Sequence, residues 1–99
     1  MVFLATGCAD NSPPVRWAEP TTIDSKGVVD CLARRGSFGE LTYLSIPMAR
    51  GGAHAVRFYR SPDDVRLLFV DRFAEKSRLI VSSEAELTER QTTDLEDCR

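Results

Sequence analysis

The amino-acid sequence predicts one small α+β domain. In this two-layer sandwich a four-stranded antiparallel β-meander carries an N-terminal and a C-terminal helix (α-β-β-β-β-α). The 99 residues are 42% hydrophobic and 28% charged, as in a globular protein with a single core. Residues 40–83 contain short runs of Val, Ile, Leu, Phe and Tyr between turn-forming residues, which indicates consecutive strands. Amphipathic patterns on either side of this region indicate the two helices.

The first helix is predicted over residues 24–35. Asp24 lies in the first turn and Arg34 and Arg35 lie in the last, where each charge complements the helix dipole. Gly36 follows as the terminator. Apolar residues fall near one face of this helix: Val28, Val29, Cys31 and Leu32. We expect that face, with Cys31, to point inward.

Four strands are predicted, at 40–46, 54–60, 65–73 and 78–83. The segments between them contain turn formers and lie at 47–53, 61–64 and 74–77. The third strand is apolar on both faces, at Leu67, Leu68, Phe69 and Val70. We therefore expect it to lie at the centre of the sheet.

A second helix is predicted over residues 89–98. Ser83 with Glu86 and Thr88 with Gln91 both fit the capping box that opens many helices. We prefer Thr88 as the start. One face of the helix then carries Gln91, Leu95 and Cys98. Cys98 is thereby directed towards the first helix.

Two short helices can cover only one face of such a sheet, which leaves the other face bare. The bare face would carry alternate residues of each strand, from sets such as Leu44 and Ile46, Val56 and Phe58, or Leu68 and Val70. A monomer rarely exposes so much apolar surface, so we interpret Val56, Phe58, Leu68 and Val70 as candidate partner-binding residues. The alternative is that sheet twist and loops cover these side chains.

Arginines lie on the predicted strands or at their ends: Arg50, Arg57, Arg60, Arg66, Arg72 and Arg78. Cross-strand arginines can form a cationic patch for an anionic partner. Arg57, Arg60 and Arg66 are therefore candidates for the rim of the partner-binding surface. The alternative is that the arginines pair with neighbouring carboxylates and contribute solubility.

The chain begins with an apolar stretch that ends in Ala5-Thr6-Gly7-Cys8. This segment resembles the lipobox of bacterial lipoproteins, in which a small residue precedes a cysteine that is acylated after signal-peptide cleavage. The resemblance implies lipidation of Cys8, with residues 1–8 as the remnant of an export signal. It also implies a start codon further upstream, because only seven residues precede Cys8. The alternative is a chain terminus with a chance Gly-Cys pair.

The same resemblance implies a domain order. Residues 9–20 would form a flexible linker between the membrane and a single domain over residues 21–99, because their prolines and small polar residues resist regular structure. Ala9 follows the lipidated cysteine, which favours the outer membrane. We therefore expect a periplasmic protein anchored by lipid.

Three cysteines, Cys8, Cys31 and Cys98, remain to be assigned. If Cys8 takes lipid, the resemblance implies that Cys31 and Cys98 form a disulfide in the periplasm. The alternative is a cytosolic protein in which both are reduced. No two cysteines have the spacing of a zinc motif, so no metal is expected.

Composition and residue types argue against several functions. The pI near 5.3 is wrong for a dedicated nucleic-acid binder. His54 is the single histidine, and it lies beside a Gly-Gly turn rather than in a recognisable catalytic motif. Neither Asp63 with Asp64 nor Glu96 with Asp97 is typical of an acid/base pair, which needs two carboxylates in different environments. We expect neither an enzyme nor a bound cofactor.

These observations favour a small envelope lipoprotein with a non-enzymatic binding or structural role. It would use the exposed sheet face, or a sheet edge, to bind an envelope protein or a second copy of itself, and no nucleic acid. The alternative is a small enzyme or enzyme inhibitor that acts on cell-envelope polymers through the loop at 47–53.

Expression from the genomic locus with its upstream DNA should yield a chain that begins at Cys8 and carries a diacyl or triacyl adduct. Cys31 and Cys98 should resist alkylation until they are reduced. Intact mass before and after reduction and alkylation measures both properties. An unmodified Met1 terminus with three free thiols would contradict the lipidation, the disulfide and the compartment together.

Overall fold

A computed structural model describes residues 13–44, 55–72 and 75–99. Five strands and two helices follow one another along the chain: β1 (Val15–Pro20), α1 (Ser25–Arg35), β2 (Thr42–Leu44), β3 (Ala55–Arg60), β4 (Arg66–Arg72), β5 (Glu75–Ser82) and α2 (Glu89–Cys98). The predicted α+β class is confirmed, whereas the sheet has five strands instead of the four predicted.

The strands form one antiparallel sheet in the order β1-β5-β4-β3-β2. β2 to β5 are the predicted meander, and β4 lies at its centre as expected. β5 begins at Glu75, three residues before its predicted start, because Glu75 already pairs with Arg72 of β4. Residues 45, 46, 54 and 73, which the prediction assigned to strands, lie outside the described residues.

β1 is the strand that the sequence interpretation missed. The linker predicted over 9–20 is wrong for Val15–Pro20, which pair with β5 along the edge of the sheet. Prolines suggested an irregular segment, but Pro13, Pro14 and Pro20 lie before or at the end of an edge strand, where a missing N–H is tolerated. The backbone N–H of Ser83 also donates to the oxygen of Pro14 at 3.1 Å. The folded domain therefore begins before residue 21, which was the predicted boundary.

The core lies between the sheet and the two helices. Leu67, Phe69, Leu79 and Val81 alternate along β4 and β5 and point to the same side. The helices and loops that cover them contribute Val28, Leu32, Phe38, Val65, Leu95 and Cys98. All of these side chains are at most 4% exposed. We call this side of the sheet the helix face and the other side the open face.

Local side-chain contacts define both helices. Asp24 caps α1 by accepting from the Gly27 N–H at 2.8 Å. Gly36 ends the helix with φ 82°, a left-handed conformation that favours glycine. At α2, Thr88 and Gln91 form the reciprocal capping box, with hydrogen bonds of 3.0 and 2.9 Å. Thr88, and not Ser83, is therefore the residue that starts this helix.

The two helices are joined by the Cys31–Cys98 disulfide, whose Cα atoms are 5.7 Å apart. This confirms the predicted pairing. Arg99, directly after Cys98, donates from Nη1 to the Pro20 oxygen at 2.9 Å, and its own carbonyl oxygen accepts from the backbone and hydroxyl of Thr22. The end of α2 is thus tied both to α1 and to the chain that leaves β1.

Asp94 is a buried carboxylate on the same helix. Its Oδ1 lies 3.3 Å from Nη1 of Arg35, which also contacts Asp97 at 2.9 Å. The neighbouring Ser37 hydroxyl, together with Arg35, holds the pKa of Asp94 below its ordinary value, although burial acts in the opposite direction. The ionised form of Asp94 is therefore the one that suits the folded state.

Replacing both Cys31 and Cys98 by serine should lower the free energy of unfolding by about 2–4 kcal/mol, because the open chain regains the entropy that the cross-link removes. Thermal unfolding should then occur roughly 10–25 °C lower. Calorimetry of the variant and of the reduced wild type measures this shift. Equal melting temperatures for reduced and oxidised protein would contradict a stabilising role for the disulfide.

Acidification should destabilise the protein through Asp94. The pKa of Asp94 is lower in the folded than in the unfolded state, so Asp94 stabilises the fold above its unfolded pKa of about 4. This stabilisation is lost as the pH falls through the folded pKa. Asp94→Asn should flatten the decline of melting temperature below about pH 4. Asp30→Asn, in an exposed pair with Lys26, is the matched control and should follow the wild type. Parallel curves for wild type and Asp94→Asn would contradict this role.

Candidate binding surfaces

The open face carries a continuous apolar row that crosses all five strands. The strand register places one residue of each strand side by side in the row: Ala18, Ile80, Leu68, Phe58 and Leu44. Val70 and Val56 extend it as neighbours on β4 and β3. All seven side chains are partly exposed. Both described helices pack on the helix face, so neither covers this row.

Arginines flank the apolar row at two ends. Arg60 and Arg66 are directly paired across β3 and β4, on the row next to Phe58 and Leu68. Arg78 lies on the other flank, opposite Val70. Asp64 lies in the turn between β3 and β4, 3.9 Å from Nε of Arg60 and 3.5 Å from Nε of Arg66. The open face therefore has an apolar centre and a rim that is mainly cationic.

The structure brings together most of the residues singled out from the sequence, but not Arg57. Val56, Phe58, Leu68, Val70, Arg60 and Arg66 share the open face. Arg57 lies between Val56 and Phe58 on β3 and therefore points to the helix face, where its Nη1 donates to Ser25 Oγ at 3.0 Å. Side chains alternate between the two faces of a strand, so the predicted strand already placed Arg57 on the face opposite Val56 and Phe58.

A second surface, not predicted from the sequence, is a cleft between α1 and the strands β2 and β3 on the helix face. Its volume is about 580 Å³. The sheet side is formed by Tyr43, Arg57 and Tyr59, and the helix side by residues that include Lys26 and Val29. It exists because the core packs the helices mainly against β4 and β5, which leaves this end of the helix face open.

Aromatic rings form the floor of this cleft. The ring centroids of Tyr43 and Tyr59 are 5.2 Å apart, and those of Tyr59 and Phe69 are 5.8 Å apart in an edge-to-face arrangement. Burial raises the pKa of Tyr59 above its ordinary value. Tyr59 is partly buried and packs against the core, whereas Tyr43 is 53% exposed.

Three of the four acidic residues considered from the sequence, Asp64, Glu96 and Asp97, have side-chain partners. Glu96 accepts from the Trp17 indole at 3.0 Å and from Arg99 at 3.2 Å, and Asp97 contacts Arg35. Asp64 pairs with the arginines of the open face. Their positions are those of surface ion pairs and hydrogen bonds.

Several residues that were considered from the sequence lie outside the described ranges. Cys8, His54 and the loop at 47–53 lie outside those ranges. Among residues 13–44, 55–72 and 75–99, there is no group of side chains arranged to hold a metal ion. None of the described helices is long and apolar enough to cross a membrane.

Comparison of the chain with models of protein families, with curated proteins and with solved structures finds no match.

Proposed function

We propose that this chain is a non-enzymatic envelope lipoprotein that binds a protein partner through its open face. The observation that carries the proposal is the apolar row across five strands, opposite both helices and flanked by arginines. An apolar centre with a polar rim is the usual anatomy of a protein interface. The sheet supplies a rigid platform for it.

The charge of the rim indicates the chemistry of the partner. Arg60, Arg66 and Arg78 are cationic residues on the open face, and Asp64 already pairs with two of them. Two copies packed face to face would bring arginines against arginines, which costs binding energy. We therefore propose a different envelope protein, with an apolar contact patch bordered by carboxylates.

Two observations support the envelope as the location. The Cys31–Cys98 disulfide is the kind of cross-link that persists in oxidising compartments. Ala5-Thr6-Gly7-Cys8 resembles a lipobox. Lipid on Cys8 would anchor the chain to a membrane, for which we propose the outer membrane. A small enzyme or enzyme inhibitor remains the alternative hypothesis, and its residues, His54 and the loop 47–53, lie outside the described ranges.

The open face can be tested by photo-crosslinking in the native host. A benzoylphenylalanine at Phe58 should crosslink to an envelope protein, because Phe58 lies in the centre of the row. The same group at Thr93, an exposed residue of α2 on the helix side of the sheet, is the matched control and should not capture that protein. Leu68→Arg should reduce the Phe58 product more than about tenfold, since it places a charge in an apolar contact.

Charge and fold are checked separately. Arg60→Glu with Arg66→Glu should weaken the same crosslink, and thermal unfolding should show that Leu68→Arg remains folded, because Leu68 is partly exposed. If the crosslinked product consists of two copies of this chain, the partner is a second copy and not another envelope protein. A crosslink that is unchanged by Leu68→Arg would contradict the open face as the binding surface.

A further inference from the structure

The two edges of the sheet differ in how well they are protected against pairing with another strand. β1 ends at Pro20 and is preceded by Pro13 and Pro14, and prolines cannot donate a backbone hydrogen bond. Its register with β5 shifts between Val15 and Trp17, and such bulges twist an edge away from flat pairing. Charged Arg16 and Glu19 add to this protection. β1 is therefore closed to strand addition.

β2 is the outermost strand at the other edge of the described sheet. Its residues Thr42, Tyr43 and Leu44 include no proline and no charge, and their register with β3 has no shift. Tyr43 is also one of the most exposed large hydrophobic residues among those described, at 53%. This edge thus offers backbone groups beside an exposed aromatic ring.

The cleft between α1 and β2 borders the same edge. Its charged side chains already have contacts within the chain: Lys26 Nζ lies 3.1 Å from Asp30 Oδ2, and Asp24 accepts from Gly27 N–H. Arg57 donates to Ser25 on the α1 wall. The cleft lining carries two cations, Lys26 and Arg57, and two carboxylates, Asp24 and Asp30, so it has no net formal charge that would select a charged ligand. The tyrosine rings provide the main surface for contact, which favours an aromatic or apolar side chain.

We propose that this edge and cleft form a binding site for an extended peptide segment. The peptide adds its backbone to the outer edge of β2 and places one aromatic or apolar side chain against Tyr43 at the mouth of the cleft. Backbone pairing supplies affinity and the side chain supplies specificity, as in other cases of strand addition. The site is distinct from the open face and does not depend on the function proposed above.

The register of the sheet determines what such a peptide would present. The residue opposite Tyr43 points to the helix face, so it meets the Tyr43 ring and the α1 wall. Its two neighbours point to the open face beside Thr42 and Leu44. The recognised sequence should therefore have a period of two, with the aromatic or apolar residue at the central position.

Selection from a phage library of random dodecapeptides, on the full chain with its disulfide oxidised, tests the proposal. The enriched peptides should share one central aromatic or apolar residue. On either side of it, residue types should alternate with a period of two. A synthetic copy, measured by fluorescence anisotropy, should bind Tyr43→Ala about tenfold more weakly than wild type and Tyr43→Phe within about twofold, because the ring makes the contact. Leu68→Arg, on the open face, is the matched control and should bind like wild type.

N-methylation of the peptide distinguishes strand addition from side-chain docking alone. Methyl groups on the amides that face β2 should abolish binding, whereas methyl groups on the alternate amides should leave it within about twofold. No enrichment above an uncoated surface would overturn the proposal. Equal loss from both methylated sets, or loss with Leu68→Arg but not with Tyr43→Ala, would overturn it as well.

Discussion

The attachment of the end of α2 to two other parts of the chain is the constraint on which the rest of the structure depends. Cys98 is bonded to Cys31 in α1, and Arg99 holds the residues that follow β1. A domain of this size buries a small core, so a covalent closure accounts for a large part of its net stability. The C-terminal helix therefore meets β1 and α1, which lie more than fifty residues before it in the sequence, at one point beside the core.

The placement of the two helices explains why the molecule has two different sides. Both helices pack their apolar residues on one face of the sheet, over β4 and β5, and the disulfide joins them there. They leave the open face bare and do not extend over the helix side of β2. The candidate interface and the tyrosine cleft thus both follow from the placement of the helices over β4 and β5. Neither requires a special loop or a bound group.

Local signals in the sequence were sufficient for the helices and for most of the sheet. Asp24, Gly36 and the Thr88–Gln91 pair act on their own backbone, so their positions predict where helices begin and end. The alternating strand pattern likewise places Val56 and Phe58 on one face. These features depend on neighbours a few residues away.

The features that the prediction missed depend on distant neighbours. β1 is a strand because β5 pairs with it and because Trp17 reaches Glu96, and neither partner is visible in residues 15–20 alone. The cleft requires the positions of the helices above the sheet. Arg57 is different, since the strand period would have assigned it to the helix face if it had been applied residue by residue.

The way α2 ties the structure together has a consequence for the order of folding. A growing chain that contains β1 and α1 but not residues 75–99 has no β5 to pair with its first strand and no Cys98 for Cys31. Long-range pairing of this kind makes folding slow and late. The nascent chain therefore cannot complete its sheet or its cross-link until residues 75–99 have been synthesised.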